Sequence, residues 1–116
     1  MTAIRIHPRH PWNVTPREAV AYQRELAGEV VAAGGVTPRH VAGVDVGFED
    51  GGRVTRAAVA VLSYPDLAPA ASAVARRPTA FPYIPGLLSF REVPAVLDAL
   101  EDLTIVPDVL LCDGQG

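Results

Sequence analysis

Hydrophobic positions along the chain repeat in two ways, some with the period of a helix and some with that of a strand. After Thr15-Pro16, the segment REAVAYQRELAGEVVAA sets Val20, Leu26, Val30 and Val31 near one face and most Arg and Glu elsewhere. That spacing predicts an amphipathic helix. Thr15 suits the N-cap and Pro16 the first helical position, where a missing N–H costs nothing. Gly34-Gly35 is the expected stop. The run HVAGVDVGF, residues 40–48, is apolar on both faces except at Asp45, as in a central strand buried on both sides. EDGG at 49–52 supplies a hairpin turn, and RVTRAAVAVLSY, 53–64, returns as a second strand. PDLAP turns again, AASAVARR at 70–77 predicts a weaker third strand, a second helix is expected over roughly 89–102, and DVLLC at 108–112 is a last strand. Residues 1–14, with Pro8 and Pro11, read as an irregular arm ahead of one domain over 15–116.

The order is helix, three antiparallel strands, helix, strand. The last connection is a crossover of the kind that returns a strand parallel to its sheet, right-handed. If that strand docks beside the first, Asp45 and Asp113 become near neighbours. Such a layout is the front half of a ribonuclease H-like α/β fold, a mixed sheet with flanking helices.

Composition narrows the classes. At 116 residues, with 49% hydrophobic and 20% charged positions, the chain has globular values and room for a single core. All ten basic residues are arginine and the net charge is −3. That balance argues against bulk nucleic-acid binding through a basic surface, yet leaves room for a site that reaches phosphate through a bound cation. Cys112 is the one cysteine, so no internal disulfide forms and a reducing, cytoplasmic setting is expected. The opening MTAIRIHPRHPW has no apolar core of signal-peptide length, and no run approaches a membrane span.

Three carboxylates stand out. Asp45 sits in an apolar strand on the face of Val41, Gly43 and Gly47, where an unpaired charge is costly and a neutralising partner is expected. A backbone hydrogen bond or an arginine could be that partner. Asp113 follows four apolar residues, at the position beyond a parallel strand where open α/β sheets hold ligands; an Asx-type turn would use it equally well. Ser89-Phe-Arg-Glu92 fits a capping box, whereas Glu92 also lies four and eight residues before Val96 and Leu100, on the apolar side of the helix. Pro94 leaves both readings open. Converging, the three would suit one hard cation such as Mg²⁺, which takes oxygen ligands and keeps several waters. Such an ion activates water and stabilises the leaving oxygen in phosphodiester hydrolysis. No His/Cys set has zinc spacing, and neither a Walker loop nor a dinucleotide fingerprint is present. His7, His10 and His40 read as surface histidines.

GVDVGF, FPYIPGLLSFRE and PDVLLCDGQG, in this order, resemble endonuclease V, the deoxyinosine 3′-endonuclease family of DNA repair, from about residue 16 onward. The resemblance implies a Mg²⁺ site of Asp45, Glu92 and Asp113. It also implies a wedge formed by Pro82, Tyr83, Ile84 and Pro85, with Tyr83 contacting DNA at the lesion, and a pocket for the extruded base at Gly86, Leu88 and Gly114. The implied reaction is hydrolysis of the second phosphodiester bond 3′ to deoxyinosine. The partner would be lesion-containing DNA, with inosine in RNA open beside it, and the protein a monomer with no membrane association. Physically, Pro82 and Pro85 restrict the loop around Tyr83, and a stiff apolar wedge can offset unstacking of about a few kcal/mol. Without the resemblance, Tyr83 reads as a buried core aromatic.

Members of that family run on for roughly as many residues again, so the expected fold is truncated after the fourth strand. The remainder would carry more of the sheet and a catalytic-site lysine; this chain has no lysine. Its DVLLC strand is then expected as an exposed edge. A catalytically inactive remnant, or a partner-dependent fragment with weak nucleic-acid binding, is the alternative to an active nuclease.

Overall fold

A computed structural model describes residues 4–113. The elements run α1 (Pro16–Ala27), β1 (His40–Glu49), a short 3₁₀ turn (Asp50–Gly52), β2 (Val54–Ser63), β3 (Pro69–Pro78), α2 (Leu88–Glu101) and β4 (Val109–Cys112). Each expected element is present, and all but α1 lie within two residues of their expected bounds.

The start of α1 is chemically defined. Thr15 Oγ1 accepts from the Glu18 backbone N–H at 3.2 Å, and Glu18 Oε1 accepts from the Thr15 N–H at 3.0 Å, a complete capping box. The other end departs from expectation. The helix stops at Ala27 with Gly28 as its cap, and Val30 and Val31 are exposed rather than on a buried face. Gly28 arrives six residues before the expected Gly-Gly stop, and the β-branched pair that follows is a poor helix former. Among the described residues, neither hydrophobic cluster includes Val30 or Val31.

The strands pair in the order β3-β2-β1-β4, with β1 antiparallel to β2 and parallel to β4. The α2 crossover packs on one face of this sheet. Ala42, Ala57, Val59 and Val61 meet Ala95, Val96, Ala99, Leu100 and Leu103 there, all buried. Each fully buried Val or Leu contributes roughly 1.5–3 kcal/mol, and the alanines let the helix approach closely. Although β1 is central in the strand order, it is covered on one side only: Ala42 is buried, whereas Gly43 and Asp45 are exposed. An apolar run on both faces therefore did not mean two covered faces in this chain.

A second cluster forms away from the sheet. Ala19, Phe81, Leu87 and Phe90 are buried together, with Trp12, Val14 and Tyr22 packed around them. His10 belongs to it and is half-buried, stacked on Tyr22 at 4.8 Å and on Phe90 at 5.3 Å between ring centroids. The arm has no helix or strand among its described residues, but its aromatic end fastens α1 to the start of α2.

Candidate functional site

The β1–β4 pairing fixes the relation of the two aspartates. Its register runs from Val41 opposite Val109 to Val44 opposite Cys112, so the paired stretch ends one residue before Asp45 on β1 and Asp113 after β4. Both are exposed. Asp108 locks the other end of the same strand pair. Its Oδ2 accepts from the backbone N–H of Arg39 at 2.8 Å and of His40 at 3.1 Å, which holds its carboxyl below the usual carboxylate range.

Asp45 Oδ1 accepts from the Val46 backbone N–H at 3.0 Å. No arginine pairs with Asp45, Glu92 or Asp113 among the described residues.

Glu92 comes from the first turns of α2. The helix begins with Leu87 as N-cap and no side-chain capping bond, so the Ser89–Glu92 capping box does not form. Val96 and Leu100 are buried, and Glu92 is half-buried on their side of the helix. Its carboxyl is pushed above the ordinary glutamate range, by burial first and by the negative charge of Asp113 second. Arg91 partly counters this, and Asp45 adds a smaller push. Glu92 thus feels the charge of both aspartates, although among the described residues no three His, Cys, Asp or Glu side chains already stand close enough to grip an ion. An all-oxygen set with no arginine ion pair fits a hard divalent cation, whose charge would relieve the repulsion that Glu92 feels.

The loop before α2 is anchored at both ends. Phe81 and Leu87 are buried, while Tyr83 between them is 66% exposed, so the tyrosine is not core material. Gly86 adopts φ +87°, a conformation that strains other residues. Its carbonyl accepts from Gln23 Nε2 at 2.9 Å, and the Leu87 N–H bonds back to the Ile84 carbonyl at 2.9 Å. Gln23, on α1 and 63 residues away, gave no sequence signal of this role. Of the expected base-pocket residues, Gly86 lines a cleft of about 450 Å³ between α1 and the loop, which contains none of the three carboxylates. Leu88 is half-buried at the head of α2 and does not line that cleft; Gly114 lies outside the described residues. Arg91, next to Glu92, places its guanidinium 4.5 Å from the centre of the Phe48 ring, a favourable cation–π contact.

Residues 24–116 match the family model described as Endonuclease V. The chain belongs to the endonuclease V family. It is 55% identical over 115 residues to the endonuclease V of Trichormus variabilis, covering 97% of this chain and 52% of that one. For the protein of Alkalilimnicola ehrlichii the identity is 51%, with 97% and 51% covered. Among solved structures, the endonuclease V of Streptomyces avermitilis superposes with a TM-score of 0.83 at 44% identity, over 90% of this chain and 47% of that one. The Ciona intestinalis endonuclease V, solved with a 24mer DNA containing an inosine followed by a ribo-adenosine, gives 0.74 at 25% identity, over 86% and 46%. This chain therefore spans about half the length of the endonuclease V relatives it matches. Its four-stranded mixed sheet with two helices has the expected ribonuclease H-like α/β arrangement.

Proposed function

We propose that this chain supplies the carboxylate half of a divalent-cation-dependent endonuclease that hydrolyses the second phosphodiester bond 3′ to deoxyinosine in DNA. The observation that supports this reading is the parallel β1–β4 register, which ends one residue before Asp45 and Asp113, together with the raised carboxyl of Glu92, which feels both. Asp45, Glu92 and Asp113 would hold Mg²⁺, which when bound activates water and stabilises the leaving oxygen. The chain's other residues position the substrate. Tyr83, on a loop pinned by Phe81, Leu87 and Gln23, is exposed and stiff enough to enter a base step. Pro82 and Pro85 limit how far it can retreat, and Ile84 packs back onto the second cluster. An extruded base would be met by Gly86, Leu88 and Gly114.

A second reading is a partner-dependent fragment with weak nucleic-acid binding and little cleavage of its own.

A chimaera separates the two. This chain replaces the matching segment of the Trichormus variabilis relative, and the product is incubated with inosine-containing duplex and Mg²⁺. Cation-dependent nicking one nucleotide beyond the lesion is expected from the chimaera, and little from the isolated chain. Asp45→Asn or Asp113→Asn should abolish nicking in the chimaera, whereas Tyr83→Ala should chiefly weaken preference for the lesion. Normal cleavage by the Asp45→Asn chimaera would sink the assignment.

A further inference from the structure

The loop ahead of α2 makes its own turn. The Leu87 N–H donates to the Ile84 carbonyl at 2.9 Å, with Pro85 and Gly86 between them. Gly86 takes φ +87°, so the pattern is that of a type II turn, proline first and glycine second of the two central residues. A Cβ on Gly86 would meet nothing within 4 Å, so conformation rather than lack of room demands glycine. Glycine is also the residue least held by its own sterics, since it visits positive and negative φ about equally. Local sequence therefore makes the turn but leaves its roll weakly fixed.

What fixes the roll comes from α1. Ala19 is buried with Phe81, Leu87 and Phe90, and Gln23 follows one turn later on the same face of the helix. Its Nε2 donates to the Gly86 carbonyl at 2.9 Å. A carbonyl can only accept, so the partner dictates that the NH₂ group of Gln23, and not its oxygen, faces the loop. Phe81, Ile84 and Leu87 hold the loop down by apolar contact, which has no direction. The hydrogen bond has one. Among the described residues no other α1 side chain hydrogen-bonds to the loop. Helix and loop do not close on each other: the cleft of about 450 Å³ has Val20 and Gln23 on one wall and Pro85 and Gly86 on the other. The amide ties the two across that gap.

We propose that Gln23 is a positioning residue for Tyr83. Its amide selects one conformation of Gly86 and, through the turn, sets the direction in which Tyr83 leaves the loop. The proposal deepens the nuclease reading and rests on it for the role of Tyr83 as a wedge. Gln23 opens onto a cleft that contains none of the three carboxylates, so it acts on lesion preference and not on hydrolysis.

Two measurements test this. In the chain itself, amide exchange followed by NMR gives the protection of the Leu87 N–H, compared with the parent at the same pH. Gln23→Glu keeps the shape, but at pH 7 its carboxylate has no hydrogen to donate, and protection should fall severalfold. At about pH 3.5, below the ordinary glutamate value of about 4.3, the protonated acid donates again and most of the difference should vanish. An equal deficit at both pH values, or none at pH 7, would overturn the tie. In the chimaera, steady-state nicking of inosine-containing and unmodified duplexes with Mg²⁺ gives the lesion preference. Gln23→Met, similar in shape and without a donor, should raise KM for the inosine duplex severalfold and leave kcat near that of the parent. Adding Gln23→Met to Tyr83→Ala should cost nothing further, because the two act in series. Additive losses, or a loss in kcat alone, would overturn the positioning role. Thermal unfolding shows which variants are folded, and Gln23→Glu replaces Gln23→Met in the chimaera if the latter is not. A chimaera that nicks with unaltered preference in Gln23→Met sinks the role of Gln23 alone. A parent chimaera that nicks neither duplex, beside the expected exchange pattern, sinks the nuclease reading and the wedge role with it.

Discussion

The two faces of this sheet are built from the same four strands to opposite ends. Toward α2 the side chains are Ala42, Ala57, Val59 and Val61, buried against a helix that carries alanines at its contact positions. On the far side lie Asp45, Glu49, Arg56 and Arg76, together with Gly43, Ala58 and Ala60 and the exposed Val74 and Leu111. The covered face is built for packing, where a methylene matters because interiors are close-packed. The open face carries charge that packing would not tolerate. The comparison teaches that stability and chemistry in this chain are separated by strand parity: adjacent residues of one strand serve different purposes.

That separation can be broken experimentally. Leu103, almost wholly buried beneath α2, should lose about 2–5 kcal/mol on substitution by alanine, from lost transfer energy and a residual cavity. Leu111 pairs with Gly43 on the other face and is 65% exposed. Its alanine variant should stay within roughly 0.5 kcal/mol of the parent. Urea denaturation of the pair measures the contrast, and a large loss at Leu111 would mean that something covers the open face in solution.

A middle-sized effect is expected outside the sheet. Thr15→Ala removes the acceptor for the Glu18 N–H and should cost about 0.5–2 kcal/mol. The loss should loosen α1 and, through Gln23, the Tyr83 loop, leaving the sheet unchanged. Hydrogen exchange at residues 16–27 and at β2 distinguishes local from global loosening; equal loss of protection in both would contradict the division.

The smallest effect concerns acid. The Asp108 carboxyl is lowered in the folded state by the N–H groups of Arg39 and His40. A lowered folded pKa means that its stabilisation is fully present above the unfolded value, about 3.9. It is lost as pH falls through the still lower folded value. Asp108→Asn should therefore be less stable at neutral pH and show a flatter decline below about pH 4. Parallel acid titrations of the two proteins by circular dichroism check the sign, since a steeper decline in the variant would contradict it.

Much of this architecture is legible in the sequence because strand order and helix starts have local causes. Thr15-Pro16 with Glu18 announces α1, and the apolar runs at 40–48 and 108–112 announce β1 and β4. The crossover between them makes β4 parallel to β1, with Val44 opposite Cys112. What escaped has a tertiary cause. The end of α1 depended on packing: among the described residues Val30 and Val31 join neither hydrophobic cluster. Burial of one face of β1 depended on which side α2 chose. The Gln23 bond to the Gly86 carbonyl joins residues far apart in sequence, and the opposition of Arg56 and Arg76 needs the register of three strands, which no single strand encodes. For Glu92, the sequence fits a capping box equally well, but the helix begins at Leu88 with Leu87 as N-cap, and the box does not form.

Ala95 and Ala99 have a consequence beyond packing. Glu92 rides on the helix, whereas Asp45 and Asp113 ride on the strands, so the gap between them is set by how near the helix axis comes to the sheet. Two methyl groups, both fully buried, act as spacers for that gap. A bulkier residue at either would widen the bite of the carboxylates without touching them. Ions of different radius prefer different bites, so under the proposed metal-site reading residues that never approach a cation would tune which cation is accepted.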